Sequence, residues 1–158
     1  MMQSVPCTLD HLIAIRDDAR EKGITAVDAY RNYAARYLDE GPAIAVIETE
    51  DGRVLGCGGL RVQWQGMGEA WIVLSLAAIA KSTTEQFQHY RKAAYTIAGD
   101  FLRDVCGDMI RIQAHVRVDD AVAIQFAERL GFAREGLLKK FGMDGADHYI
   151  YAIVKGES

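Results

Sequence analysis

The chain is poor in the residues that would tie it to an oxidising compartment, a membrane or a polyanion. Three cysteines, Cys7, Cys57 and Cys106, are few, odd in number and without metal or redox spacing. They exclude a disulfide framework and point to reduced thiols in a cytoplasmic setting. No apolar run approaches the roughly 20 residues a membrane span needs, and the N-terminus lacks a signal peptide's basic-then-apolar layout. There is no basic excess: 18 basic residues stand against 22 acidic ones, a net charge of −4. Phosphate backbones are held mainly by Lys and Arg, so no nucleic-acid partner is expected. A local basic groove for one phosphorylated cofactor stays compatible with that balance. Gly56, Gly58 and Gly59 are not followed by Lys-Ser or Lys-Thr and open no helix, which excludes a phosphate loop. Repeats, low-complexity tracts and linkers are also missing, so residues 1–158 form one domain with a core of its own.

What is present is a strongly patterned C-terminal half. From Arg111, the residues Ile112, Ala114, Val116 and Val118 alternate with Arg111, Gln113, His115 and Arg117, the period of a half-buried strand. Asp119 or Asp120 then stands where an N-cap belongs. Ala123, Phe126, Ala127 and Leu130 share one helical face, and Gly131 supplies a left-handed cap before Phe132 resumes extended chain.

Upstream, Gln3 to Cys7 reads as a short strand, and Thr8 caps a helix running to about Lys22. A second helix begins near Thr25, carries Tyr30, Tyr33 and Tyr37, and stops at Gly41-Pro42. Ala43 to Thr49 and Val54 to Gln63 form a hairpin about Asp51-Gly52, whose glycines in the second strand predict a bulge or a close backbone approach. Its exposed edge could support a homodimer. Glu69 to Ala78 is a third, nearly all-apolar strand, as for a strand covered on both faces. A long helix follows from about Thr83 to Cys106, with Ser82 and Glu85 as its capping box.

The run from Asp120 through Ala123 and Phe126 to Leu130-Gly131-Phe132 resembles the C-terminal signature of the GCN5-related N-acetyltransferases, Asn-x-x-Ala-x-x-x-Tyr-Glu-Lys-Leu-Gly-Phe. The tail from Arg134 to Tyr149 is similar to the branch that acetylates ribosomal-protein N-termini. The resemblance implies an α/β fold: a mixed, mostly antiparallel central sheet with helices on both faces and one splayed pair of parallel strands. It also implies acetyl-CoA as cofactor, its pantetheine arm lying in the splay beside Leu76, Ala77 and Ala78. Lys81, Ser82, Thr83, Thr84 and Arg91 would face the pyrophosphate, and Asp120 and Phe126 would border the cofactor from the later helix.

Three departures stand against the family pattern. The usual Arg/Gln-x-x-Gly-x-Gly/Ala loop, whose amides receive a pyrophosphate at a helix N-terminus, is replaced by Ala80-Lys81-Ser82-Thr83-Thr84-Glu85, with no glycine from Gly68 to Gly99. Ala127 stands where many members carry a general-acid tyrosine. Asp120 replaces the usual Asn and, when ionised, cannot donate a hydrogen bond. Gly68-Glu69-Ala70-Trp71, with the glycine-free helix start and Leu-Gly-Phe, also resembles phage-encoded acetyltransferase-like proteins, some of them virion components.

Attack of an amine on a thioester needs an unprotonated amine, a base and a polarised carbonyl. Glu69 is the first candidate base, His115 the alternative, and Tyr149 on the last strand a candidate donor to the departing thiolate. The implied activity is acetyl transfer to a primary amine: a protein N-terminus, a lysine or a small molecule. Two alternatives stay open: a catalytically silent virion or host-factor-binding protein, and an acyl-CoA binder without turnover.

Overall fold

A computed structural model of the chain describes residues 1–15, 34–75 and 83–156. Seven strands form one sheet in the order β1-β2-β3-β4-β5-β7-β6: β1 Met2–Pro6, β2 Ala43–Glu48, β3 Val54–Trp64, β4 Met67–Leu74, β5 Arg111–Arg117, β6 Ala133–Leu138 and β7 His148–Val154. Every neighbouring pair is antiparallel except β4 with β5. The helices are α1 Leu9–Ala14, α2 Thr84–Asp104 and α3 Ala121–Arg129, with a further helical stretch over 34–39.

The alternation of each strand sorts two cores onto the two faces of the sheet. Ala70 of β4 and Ile112, Ala114 and Val116 of β5 pack with Phe101 and Leu102 of α2, with Cys106 just beyond that helix and with Ala123 and Ala127 of α3. Trp71 and Val73, of the opposite parity on β4, pack with Leu12, Ile15, Ala34, Ala45 and Cys57 on the α1 face. Glu69 therefore shares the α1 face with Trp71, and His115 leaves β5 on that side too.

Local chemistry explains the ends of the elements. Asp120, not Asp119, is the N-cap of α3; its Oδ1 accepts from the Ala123 amide at 3.1 Å. Gly131 follows at φ +99, and the Phe132 amide returns to the Ala127 carbonyl at 3.1 Å, the left-handed closure expected from Leu-Gly-Phe. Gly59 makes the close approach expected in β3: a Cβ there would meet the Pro42 carbonyl oxygen at 2.6 Å and the Ala43 Cα at 2.9 Å.

Several strand ends differ by one residue from the sequence reading, and three further differences bear on the site. The capping box of α2 lies one residue later than Ser82/Glu85. Thr83 Oγ1 accepts from the Gln86 amide and Gln86 Oε1 from the Thr83 amide, at 3.2 and 2.9 Å, because Gln is as able as Glu to reach back to the cap. That helix ends at Asp104 rather than Cys106, where the chain turns to bury the Cys106 side chain. The third strand starts at Met67, making Glu69 its third residue. The expected continuations of the first helix to Lys22, of the second from Thr25 to Tyr33, and of the third strand to Ala78 lie outside the described residues.

Candidate active site

The parallel ladder between β4 and β5 has three steps, Met67↔Arg111, Gly68↔Ile112 and Glu69↔Gln113, and then stops. Residues 70–74 of β4 keep their partners on β3, up to Gly56↔Leu74. Residues 114–117 of β5 keep theirs on β7, up to Arg117↔His148. Each limb stays with its outer neighbour once the parallel ladder has ended, so the two strands part into a wedge. Ile72, on the limb of β4 that pairs with β3 but no longer with β5, is 44% exposed. Main-chain groups of these limbs have no ladder partner across the gap among the described residues. An extended edge of this kind suits a slender ligand bearing amides of its own, by the same bonding that adds a strand to a sheet.

Two titratable side chains meet at the root of the wedge. His115 Nδ1 lies 3.0 Å from Glu69 Oε1, with both side chains largely sheltered. An ionised carboxylate only accepts, so Nδ1 is the donor and Nε2 carries the lone pair. The ring of Phe141 covers the imidazole, centroids 4.5 Å apart and planes tilted by 33°, and meets His148 edge-on at 5.4 Å.

Phe141 comes from the β6–β7 connection, which is pinned on three sides. Arg117, at the end of β5, donates to Asp144 Oδ2 at 2.7 Å and to Asp119 Oδ1 at 3.1 Å. These bonds hold both carboxyls below the usual carboxylate range and push the guanidinium up. The Lys140 amide donates to Asp147 Oδ1 at 2.8 Å, and that of Gly142 to the Ala146 carbonyl at 2.9 Å. Nothing periodic in the sequence marks Phe141; the closure of this loop over β5 is what brings it to His115.

The cation nearest Glu69 along the sheet is committed elsewhere. Arg61 stands opposite Glu69 in the β3–β4 register, but its Nε donates to Glu40 Oε2 at 2.6 Å and its guanidinium lies 5.0 Å from the centre of the Tyr37 ring. The hydrogen bond lowers the Glu40 carboxyl and raises the Arg61 guanidinium. Tyr37 in turn packs on Trp71, ring centroids 4.8 Å apart. The wall beside the fork is thus aromatic, and the hydrogen bond of Arg61 goes to Glu40.

Of the remaining expected site residues, Tyr149 is not brought to this pair. It faces the α3 side of the sheet with Tyr151, β5 stands between it and the wedge, and the Arg134 guanidinium sits 3.8 Å from its ring centre. Asp120 caps α3, and Phe126 stacks on Tyr95 of α2 at 4.8 Å. Arg91 Nη2 donates to Gln125 Oε1 at 2.7 Å, tying α2 to α3. Thr83 and Thr84 are at the start of α2, whose Thr83 and Gln86 amides are occupied by the capping box, with Glu85 in the first turn. Leu76, Ala77, Ala78, Lys81 and Ser82 lie outside the described residues. At the start of α2 the Thr83 and Gln86 amides are already bonded within the capping box.

No helix among the described residues is long and apolar enough to cross a membrane. No curated protein matches the chain in sequence. Solved structures do match in fold. A putative phosphinothricin N-acetyltransferase superposes with a TM-score of 0.74 at 15% identity, covering 99% of this chain and 100% of that one. The ribosomal-protein-S18-alanine N-acetyltransferase of Escherichia coli gives 0.72 at 16%, covering 100% and 96%. The spermidine/spermine N-acetyltransferase of Vibrio cholerae gives 0.69 at 16%, covering 97% and 92%. At these identities the likeness concerns the fold. The model of the acetyltransferase (GNAT) family matches residues 9–132, a span that takes in β4, the wedge, the Glu69–His115 pair and the Leu-Gly-Phe closure; the chain belongs to that family.

Proposed function

We propose that this protein moves an acetyl group from acetyl-CoA to a primary amine, with the Glu69–His115 pair receiving the amine's proton. The observation that carries the reading is the coincidence of two features: the β4–β5 ladder ends at Glu69↔Gln113, and a hydrogen-bonded acid–imidazole pair sits at that fork. A thioester arm lying in the wedge would bring its carbonyl to the one place where a base is already positioned. Proximity of this kind removes much of the entropic cost of a two-substrate reaction. The acceptor class is a protein N-terminus, a lysine or a small amine. An α-amine, partly unprotonated near neutrality, asks least of the base. A cytoplasmic setting agrees with three unpaired thiols.

The test has two stages. Acetyl-CoA at about a hundred times its dissociation constant should add roughly 2.7 kcal/mol of stability, read as a rise in Tm; thiol release with a panel of amines should then show turnover. One observation favours a second reading, an acyl-CoA binder without turnover: Ala127 supplies no phenol on α3, and the Thr83/Gln86 capping box leaves few amides for a phosphate. Stabilisation without thiol release would select that reading. A flat Tm from micromolar to millimolar acetyl-CoA would remove both.

A further inference from the structure

We infer that His115 Nε2 is the atom that takes the proton from the acceptor amine, and that Glu69 is a positioning residue acting through the imidazole. This assignment rests on the acetyl-transfer reading above. The hydrogen bond from Nδ1 to Glu69 Oε1, 3.0 Å, fixes the tautomer and leaves the lone pair on Nε2. No protein group engages Nε2 among the described residues. Phe141 lies over the ring and, with Glu69, fixes the plane of the imidazole. His115 is two residues beyond Gln113, on the stretch of β5 that no longer pairs with β4, whereas Glu69 belongs to the last closed step of the ladder. An imidazole also exchanges protons near neutrality, which a carboxylate ordinarily does not.

The step balances without any further reactant. The amine nitrogen forms a bond to the thioester carbonyl carbon, and the C–S bond breaks with its electron pair leaving on sulfur. The proton leaving nitrogen goes to Nε2 and from there to the thiolate. Nothing is oxidised or reduced, and the products are the N-acetylamine and a thiol.

The experiment compares His115→Asn with Glu69→Gln in steady-state thiol release and in acetyl-CoA-induced Tm shift. Asn retains a donor to Glu69 but has no base, so kcat should fall about a hundredfold or more with KM and the Tm shift kept. Gln still accepts from Nδ1, so Glu69→Gln should cost clearly less. The reverse order of kcat losses would overturn the assignment. A second readout does not depend on turnover: imidazole 15N NMR of the wild-type protein should show His115 protonated at Nδ1. A resonance pattern for the Nε2-protonated ring would overturn it as well. Absence of turnover in the wild type, with the Nδ1 tautomer seen, would instead count against the acetyl-transfer reading and leave the orientation by Glu69 standing.

Discussion

Glu69 and Gln113 are the last residues at which β4 and β5 pair, and one residue beyond them the sheet divides. The two limbs remain in register with β3 and β7, so the opening is a property of the whole sheet and not of a loop at its rim. Chemistry placed at that point is held between β3 and β7, with which the two strands stay paired.

Filling the wedge should abolish cofactor binding without unfolding the protein. Ile72 lies on the limb of β4 that has parted from β5 and is half exposed, so Ile72→Trp adds bulk beside the gap. The expected result is a Tm close to wild type with the acetyl-CoA-dependent rise lost. An undiminished rise would place the ligand elsewhere.

Phe141 should matter to the acceptor and not to the fold. It is 51% exposed, and exposed substitutions usually change stability by no more than about 0.5 kcal/mol. Phe141→Ala removes the cover of the His115 ring, so KM for the amine should rise several-fold while the acetyl-CoA Tm shift is retained. Amine titrations at saturating acetyl-CoA check this.

Two glycines should respond to alanine in opposite directions. At Gly59 the new methyl meets backbone of the neighbouring β2 end at 2.6–2.9 Å, an overpacking expected to cost about 1–3 kcal/mol. At Gly99, within α2, nothing lies within 4 Å, and the helix should gain about 0.5–1 kcal/mol from the lost chain freedom of the unfolded state. Urea denaturation of the two variants reads both signs.

Stability should fall on both sides of neutrality, for different groups. Glu40, Glu135, Asp119 and Asp144 are each held below their usual values by a hydrogen bond from Arg61, Arg111 or Arg117. A depressed carboxyl contributes stability above its unfolded value, 4.5 for Glu and 3.8 for Asp, and loses it as the pH drops through the folded value. Burial pushes the Cys106 thiol up to about 11 from 9.0, so its contribution is complete below pH 9 and lost between there and 11. Urea midpoints measured across pH should therefore show a plateau between these limits. Arg117→Met should flatten the acid limb and Cys106→Ala the alkaline one.

The sequence by itself determined the elements and their order. The alternation from Arg111 to Arg117, an aspartate cap at Asp119 or Asp120, the Gly131 closure and the Asp51-Gly52 turn are local, because each depends on residues within one turn or one strand period. The same locality limited the α2 start to within one residue, since Ser82, Thr83 and Thr84 are all able to cap a helix. The tertiary structure alone decided which titratable groups meet. Glu69 and His115 are 46 positions apart and come together only through a parallel crossover. Tyr149, which has the right chemistry, ends on the other face because antiparallel register with Val116 sets its parity. Phe141 reaches His115 only because Arg117, Asp144 and Asp147 fold the β6–β7 connection back over β5. Local preferences fix each segment's shape, but the contacts between distant segments depend on register and twist, which no short stretch of chain specifies.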